Sequence, residues 1–374
     1  MEMQLFGGND TTYIIIQTIW ILLFFILIFF GQRIQLQMTL LELGSMLSQL
    51  GRMREYARME TYNKLKEYSG DENVLRTMFN NILESFVILP EDMDPAGIVR
   101  KVEHIIDTRE DKFLNDMTKM LSNPNLDEPL LKKLSNMVEA TLALETLYKI
   151  TRHYYLLAKK TGNVYIAMQL QIQAPQLFNY AKAYLQAVYA FKNGTPIGDS
   201  IGPLIIHKFI PKLSDVKVVS NFVKDIDLYV GEFNKRKIYL IKAHGPGGNV
   251  GKPGEAIKKI LEENKDSVKL VITIDAALKL EGEKTGSVAE GVGAAIGGIG
   301  VEKFKIEEVA TKYNIPTYAM VIKMDLNEAI SVIKKDIVDA IPQVLNRLES
   351  IIVENSSEGD SIIIAGIGNT IGVP

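Results

Sequence analysis

Two aspartates stand where carboxylates could do chemistry. Asp199 lies in GDSIGP (198–203), a glycine turn feeding a helix that begins PLIIHKF, and Asp275 directly follows the apolar run VKLVITI (268–274). Two such groups held close together share one proton and can activate water for attack on a carbonyl. Each also has a plainer role, Asp199 as a helix N-cap and Asp275 as a turn-former.

Glycine clusters point to the same places. The stretch 271–300 spends seven glycines, HGPGGNVGKPGE (244–255) follows the apolar run KIYLIKA, and IGNTIG follows SIIIAG at the carboxyl end. Glycine inside an element costs about 1 kcal/mol relative to alanine, so such density marks backbone that turns sharply or approaches something closely. Nucleotide templates fail on these loops. In HGPGGNVGKP, Pro246 takes the place of the first Walker glycine and Pro253 that of the magnesium-binding Ser or Thr. GIGNTIG (366–372) has Ile371 where a dinucleotide fingerprint needs glycine and no helix after it, and GVGAAIGG misses by one position.

The binding candidates are therefore Gly198 and Gly202 around Asp199; His244, Gly247, Gly248, Asn249 and Glu255 in the first glycine loop; Glu281 and Lys284 in the second; and Gly366, Gly368 and Asn369 in the third. A rival reading makes these loops a silent binding module for a small anion or nucleotide, with Lys242, Lys252 or Lys284 converging on it and the helical region engaging a partner protein. A metal hydrolase would use His244 with Asp199 and Asp275. No metal-binding spacing supports it, so no metal and no cofactor is expected. His104 and His153 lie on helices with no second ligand at metal spacing.

These residues need a scaffold, and the apolar pattern supplies one. From about 194 onward, KIYLIKA (237–243), VKLVITI (268–274), TYAMVIK (317–323) and SIIIAG (361–366) read as strands, with helices near 254–264, 304–313 and 326–352 between them. Runs of Val, Ile and Leu without alternation indicate strands buried on both faces, hence a mainly parallel α/β sheet. YVGEFNKRKIYL adds an antiparallel hairpin. In open sheets of this kind ligands sit beyond the carboxyl ends of the strands, where the glycines are.

Residues 36–193 are helical in period and poor in glycine. Leu36, Leu40, Leu43, Leu47 and Leu50 form a stripe that Gly51 interrupts. It packs on the chain's own next helix or, as a short coiled coil, forms a homo-oligomer. Leu130, Leu134, Met137, Ala140, Leu144, Leu147, Ile150, Tyr154 and Leu157 hold one helix face ending near Gly162. LPEDMDPAG (89–97) and SNPNLDEP (122–129) read as loops whose acidic residues cap helices.

Residues 13–30, YIIIQTIWILLFFILIFF, are long enough at about 27 Å to cross a hydrocarbon core. The preceding segment has no Lys or Arg, whereas Arg33, Arg52, Arg54 and Arg58 follow the run, which argues against a signal peptide and puts the N-terminus outside and the rest in the cytoplasm. The expected organisation is a membrane-spanning segment (1–35), an all-α domain (36–193) and an α/β domain (194–374), with the lipid bilayer as partner through 13–30. The net charge of −3, from 42 basic and 45 acidic residues, recommends no nucleic acid, and the absence of cysteine removes thiol chemistry and disulfides.

The chain as a whole, through KAHGPGGNVGKPGE, ITIDAALKLEGEKTGSVAEGVGAAIGG and GIGNTIGV, resembles an archaeal family of single-span proteins of unknown function. Residues 194–374 also resemble the spore germination protease and the hydrogenase maturation peptidases. TPIGDSIGP is similar to their aspartate loop, and VITIDAAL to the strand carrying the protease's second aspartate. That resemblance implies a phosphorylase/hydrolase-like fold, Asp199 and Asp275 as a catalytic pair, Glu255 as a neighbour, and a protein or peptide substrate. Two departures stand out. The Gly-x-Gly-Asn strand end that should precede the first aspartate is found at Gly366 to Asn369, the order of a circularly permuted domain. The loop after Asp275 shares glycine density but few side chains. Permutation demands that the last strand be internal, next to the Asp275 strand or one strand away, and that Asn369 face the pair, its amide placed to orient a carboxylate or a substrate carbonyl.

Overall fold

The computed structural model describes residues 10–87, 97–123, 126–297 and 300–374. Five helices come first: α1 (Asp10–Lys66), α2 (Glu72–Leu83), α3 (Ile98–Leu121), α4 (Glu128–Thr161) and α5 (Val164–Asn193). Two compact units emerge. One comprises residues 1–53 and 146–179, the other residues 54–145 and 180–374. The helical stretch 36–193 is divided between them, because α1, α4 and α5 each contribute to both.

In the first unit the leucine stripe of α1 finds its partners within the chain: Leu36, Leu40 and Leu43 pack with Ala158, Ala167 and Leu170. Gly51 does not interrupt α1, which runs on to Lys66. Gly44 and Gly51 instead leave room for Tyr155 and Tyr148 of α4. The predicted face of α4 holds through Leu134, Met137, Ala140 and Leu144, but beyond that the buried positions are Glu145, Thr151 and Ala158, while Ile150 and Tyr154 are exposed. Of the expected loops, residues 88–96 and 124–125 lie outside the described residues. Asp127 does cap α4, accepting the Leu130 amide at 3.1 Å. Along the N-terminal part of α1, Tyr13, Ile16, Trp20, Phe24 and Phe25 are exposed. Among the described residues no single helix is apolar and long enough to cross a membrane; Tyr13–Ile26 taken together with Phe30–Lys66 passes by length and composition.

The second unit contains the sheet. Its strands are β1 (Ser214–Val223), β2 (Ile226–Phe233), β3 (Arg236–Ala243), β4 (Val268–Leu278), β5 (Val288–Val292), β6 (Thr317–Met324) and β7 (Ser361–Gly366). The order is β1-β2-β3-β7-β4-β6-β5. The centre β3-β7-β4-β6 is parallel, while β1, β2 and β5 pair antiparallel at the margins, so the sheet is mixed rather than mainly parallel. The β2–β3 hairpin is the one expected from YVGEFNKRKIYL. β1 and β5 escaped the sequence reading: β5 lies inside the glycine-rich stretch, and both are exposed edge strands without a continuous apolar run.

Helices cover both faces. On one, α6 (Ile201–Phe209) and α11 (Ile341–Glu354) pack on Leu240, Ile272, Ile274, Ile322 and Ile364; on the other, α7 (Pro253–Asn264) and α8 (Val301–Tyr313) pack on Ile241, Val271, Ile363 and Ala365. The segment 326–352 is not one helix but α9 (Leu326–Ile330), α10 (Lys335–Val338) and α11. The break has a cause: Ser331 and Ile333 leave the helix to exchange backbone hydrogen bonds with the loop before Asp199, Gly198 N to Ser331 O at 3.0 Å and Ile333 N to Pro196 O at 2.9 Å.

Candidate functional site: a converging aspartate pair

The two aspartates converge from opposite faces of the sheet. Asp275 is not beyond a strand end, as read from the sequence, but within β4, which pairs with β6 as far as Leu278↔Met324. β7 stops earlier, at Gly366 beside Ile274. Asp275 therefore sits where its neighbour strand has ended, on the α7/α8 face it shares with Thr273 and Val271. Asp199 lies in a short 3₁₀ turn, Gly198–Ser200, that leads into α6. It is not an N-cap. Its Oδ2 accepts the amide of Asn369, across 170 residues of sequence, at 2.9 Å.

Close backbone approach makes this possible. A Cβ on Gly202 would stand 2.1 Å from the Ile367 carbonyl and 2.6 Å from that of Ile274, so the first turn of α6 lies directly on the ends of β7 and β4. Gly368 holds φ +126°, and a Cβ there would stand 1.9 Å from the Asp199 carbonyl oxygen. Gly366 rests against Gly202, and Gly198 against the Glu328 carbonyl.

The glycine-rich stretch after Asp275 answers to the same site. After β5 the chain folds back over β4: the Ala295 amide donates to Thr273 Oγ1 at 2.9 Å, and the Gly297 amide donates to Asp275 Oδ2 at 3.0 Å. Asp275 Oδ1 accepts the Ala276 amide at 2.7 Å. Despite these two donors, burial first and the charge of Asp199 second push the Asp275 carboxyl up to about 7. Burial also raises Asp199, against the Asn369 amide. A like charge nearby disfavours ionisation, so Asp275, buried beside the half-buried Asp199, holds its proton toward neutrality. Asp199 Oδ1 has no donor among the described residues.

The terminal strand is internal, between β3 and β4, as the permuted order requires. Asn369 contributes by its backbone. Its side chain does not orient a carboxylate but braces the neighbouring loop, donating to Gly248 O at 2.9 Å and accepting the Ile371 amide at 2.9 Å. Thr370 extends the brace, donating to His244 O and receiving the Asn249 amide, each at 2.9 Å. Asn249 Nδ2 returns to His244 O at 2.8 Å. Thus His244, Gly248 and Asn249 support the Asn369 turn from behind, while Gly247 packs on Pro129. Thr370 was missed in the sequence; only its position next to Asn369 could have signalled it.

Other candidates lie elsewhere. The His244 ring contacts Asp227 at 2.9 Å, not the aspartate pair, and no group of three His, Asp or Glu among the described residues could hold a metal ion. Glu255 is half exposed and lies 4.0 Å from Lys305. Glu281 and Lys284 are exposed in the turn after β4, which Thr285 ties to the buried Glu328 at 2.9 Å. The lysines do not converge. Lys242 is fully buried on the α6 face, 3.9 Å from Asp227, its ammonium pushed down by burial; Lys252 pairs with Asp107 at 2.8 Å. The N-terminal amides of α7, a natural anion site, already hold the Glu302 carboxylate, with Gly254 N to Oε2 at 2.7 Å.

Residues 17–194 match the family described as protein of unknown function (DUF1512) N-terminal domain, and residues 197–374 match the domain of unknown function (DUF1512) C-terminal. No curated protein and no solved structure matches the chain. The two matches follow one another along nearly its whole length, and the chain belongs to the DUF1512 family.

Proposed function

We propose that this protein is a membrane-anchored hydrolase whose α/β domain cleaves a peptide or related amide bond with Asp199 and Asp275. The observation that carries the reading is the convergence of these two carboxyls on one site, Asp199 half-buried and Asp275 buried and raised to about 7. In such a pair the ionised carboxylate takes a proton from water as the oxygen attacks the substrate carbonyl, and the protonated partner donates to the carbonyl oxygen. The proton taken from water then passes to the leaving amine as the C–N bond breaks, and the hydroxyl formed on the former carbonyl returns its proton to the partner carboxylate, which restores the pair. The likeness of TPIGDSIGP and VITIDAAL to the germination protease and maturation peptidases points the same way.

Two features favour a polypeptide over a small anion. The cations that an anion would need are dispersed or paired, and the α7 N-terminus is occupied. Behind the Gly248 loop, a cleft of about 280 Å³ is lined by Arg109, Phe113, Lys132, Glu139 and Lys224 among others, with Arg109 on Glu139 at 3.1 Å and Lys132 on Asp225 at 2.7 Å. Such a mixed-charge wall suits peptide side chains better than a polyanion. The anchor is residues 13–30, with the N-terminus outside and the body in the cytoplasm, on the charge asymmetry that follows the run.

Peptide-library profiling of the purified full-length protein tests the activity. Cleavage by wild type that Asp199→Asn and Asp275→Asn each abolish is the expected result. Cleavage surviving both substitutions, or absent from wild type across the library, would overturn the hydrolase reading.

A further inference from the structure

The unit formed by residues 1–53 and 146–179 carries a charge pattern unlike the rest of the chain. Between Thr146 and Asn179 stand Lys149, Arg152, Lys159 and Lys160 and no acidic residue. Residues 31–53 add Arg33 and Arg52 against Glu42 alone. Outside residues 1–30, which carry Glu2 and Asp10, that is six basic residues against one acidic one, a concentrated field in a protein whose net charge is −3.

Helix pairing places part of this charge. In this unit α1 and α5 run parallel: Gln35 Nε2 reaches Met168 Sδ at 3.6 Å, Thr39 and Glu42 both meet Gln171, and a groove further along is lined by Met46, Gln49, Ala174 and Phe178. Tyr165 lies three residues before Met168, about 4.5 Å back along its helix, which sets it level with residues 31–33 of α1. That is the point where the apolar run of α1 ends. Tyr165 is 76% exposed, and Lys159, Lys160 and Arg33 are exposed around the same end of the unit. Ile172, two turns further along α5, is exposed on the same side as Tyr165.

We propose that the α4–α5 turn is a lipid-docking collar: Lys159, Lys160 and Arg33 engage the phosphates of an anionic bilayer surface while Tyr165 sits among the headgroups. The inference rests on the membrane-span reading above and adds to it a second, charge-selective contact. The chemistry fits at each position. Tyrosine favours the membrane–water interface because its ring is apolar and its hydroxyl is not. Long basic side chains reach outward to phosphates while their stems stay on apolar surface. A collar of this kind fixes the rotation and tilt of α1 where it leaves the bilayer, which a single span cannot do alone.

Because the chain has no cysteine, a single introduced one carries a unique label. Full-length Trp20→Cys, Tyr165→Cys and Lys265→Cys, each bearing an environment-sensitive fluorophore, are reconstituted into phosphatidylcholine vesicles with and without phosphatidylglycerol, and quenching by nitroxide lipids is read. The label at 20 should be quenched by a deep nitroxide in both membranes, that at 165 by a headgroup nitroxide only when phosphatidylglycerol is present, and that at 265 by neither. Each basic residue at an anionic surface is worth about fivefold, so Lys159→Gln with Lys160→Gln should shift the docked-to-undocked ratio at position 165 by about 25-fold. A lipid-protected label at 20 with a label at 165 as solvent-accessible as that at 265 overturns the collar and leaves the span standing. Loss of protection at both overturns the span, and the collar with it. Shielding of 165 that depends on protein concentration and not on lipid charge assigns the surface to a second copy of the chain and also refutes the proposal.

Discussion

Replacing Asp275 by asparagine should change the stability of the α/β unit in a pH-dependent way that can be worked from the structure. The carboxyl moves from its ordinary value of 3.8 to about 7 on folding. A raised carboxyl pKa means that the native state binds the proton more tightly than the unfolded chain. The native state is therefore favoured most below 3.8, and stability is lost progressively as pH rises to about 7, beyond which the loss is complete. A difference of about 3 units corresponds to about 4 kcal/mol. Asparagine cannot ionise and escapes that loss, but it has one acceptor where the carboxylate had two, and one of the amides of Ala276 and Gly297 is left unpaired at a cost of about 1–3 kcal/mol. Asp275→Asn should thus be less stable than wild type by about 2 kcal/mol at pH 4 and more stable by about 2 kcal/mol at pH 8. The assay must report on the α/β unit, and the only tryptophan is Trp20, in the first unit. Pulse proteolysis across a urea series, on the full chain in detergent at several pH values, meets that need. A stability difference between variant and wild type that stays constant from pH 4 to pH 8 would refute both the raised Asp275 carboxyl and the hydrolase chemistry built on it.

Gly368→Ala should destabilise the same unit by at least about 3 kcal/mol, because φ +126° and a Cβ at 1.9 Å from the Asp199 carbonyl oxygen leave no room to relax without moving the Asp199 turn; a midpoint shift in urea measures it. Thr273→Val removes the acceptor of the Ala295 amide, costing about 1 kcal/mol overall, and hydrogen exchange at Ala295 and Gly297 should speed up while the amides of β4 keep their protection. Unchanged exchange at those two amides would show that the glycine segment is held by something else.

The aspartate pair was legible in the sequence only as two residues of a suitable type, 76 positions apart. Each had a local explanation as cap or turn, and local pattern could not decide against it. Both local explanations fail for reasons that are tertiary. Asp199 spends an oxygen on Asn369 instead of on its own helix, and Asp275 lies inside a strand because β6 continues past the point where β7 stops. The same limit explains the mixed sheet: the buried parallel strands β3, β4, β6 and β7 announce themselves by apolar runs, whereas the exposed edges β1 and β5 carry no such signal.

What the sequence by itself determined is what depends on composition and short-range period: helices before about 194, buried strands after it, glycine loops at strand ends, an apolar run near the N-terminus, and family membership through motifs spread along the chain. Which loops meet was decided only by the tertiary structure. Of three glycine loops, one braces the site, one closes over Asp275 and one supplies the Asn369 amide, while Glu255, Glu281 and Lys284, equally eligible by type and position, end up on the surface. The physical reason is that strand order is set by long-range packing of apolar faces. Inserting the last strand between β3 and β4 brings residue 369 to residue 199, and no local pattern in the chain encodes that distance.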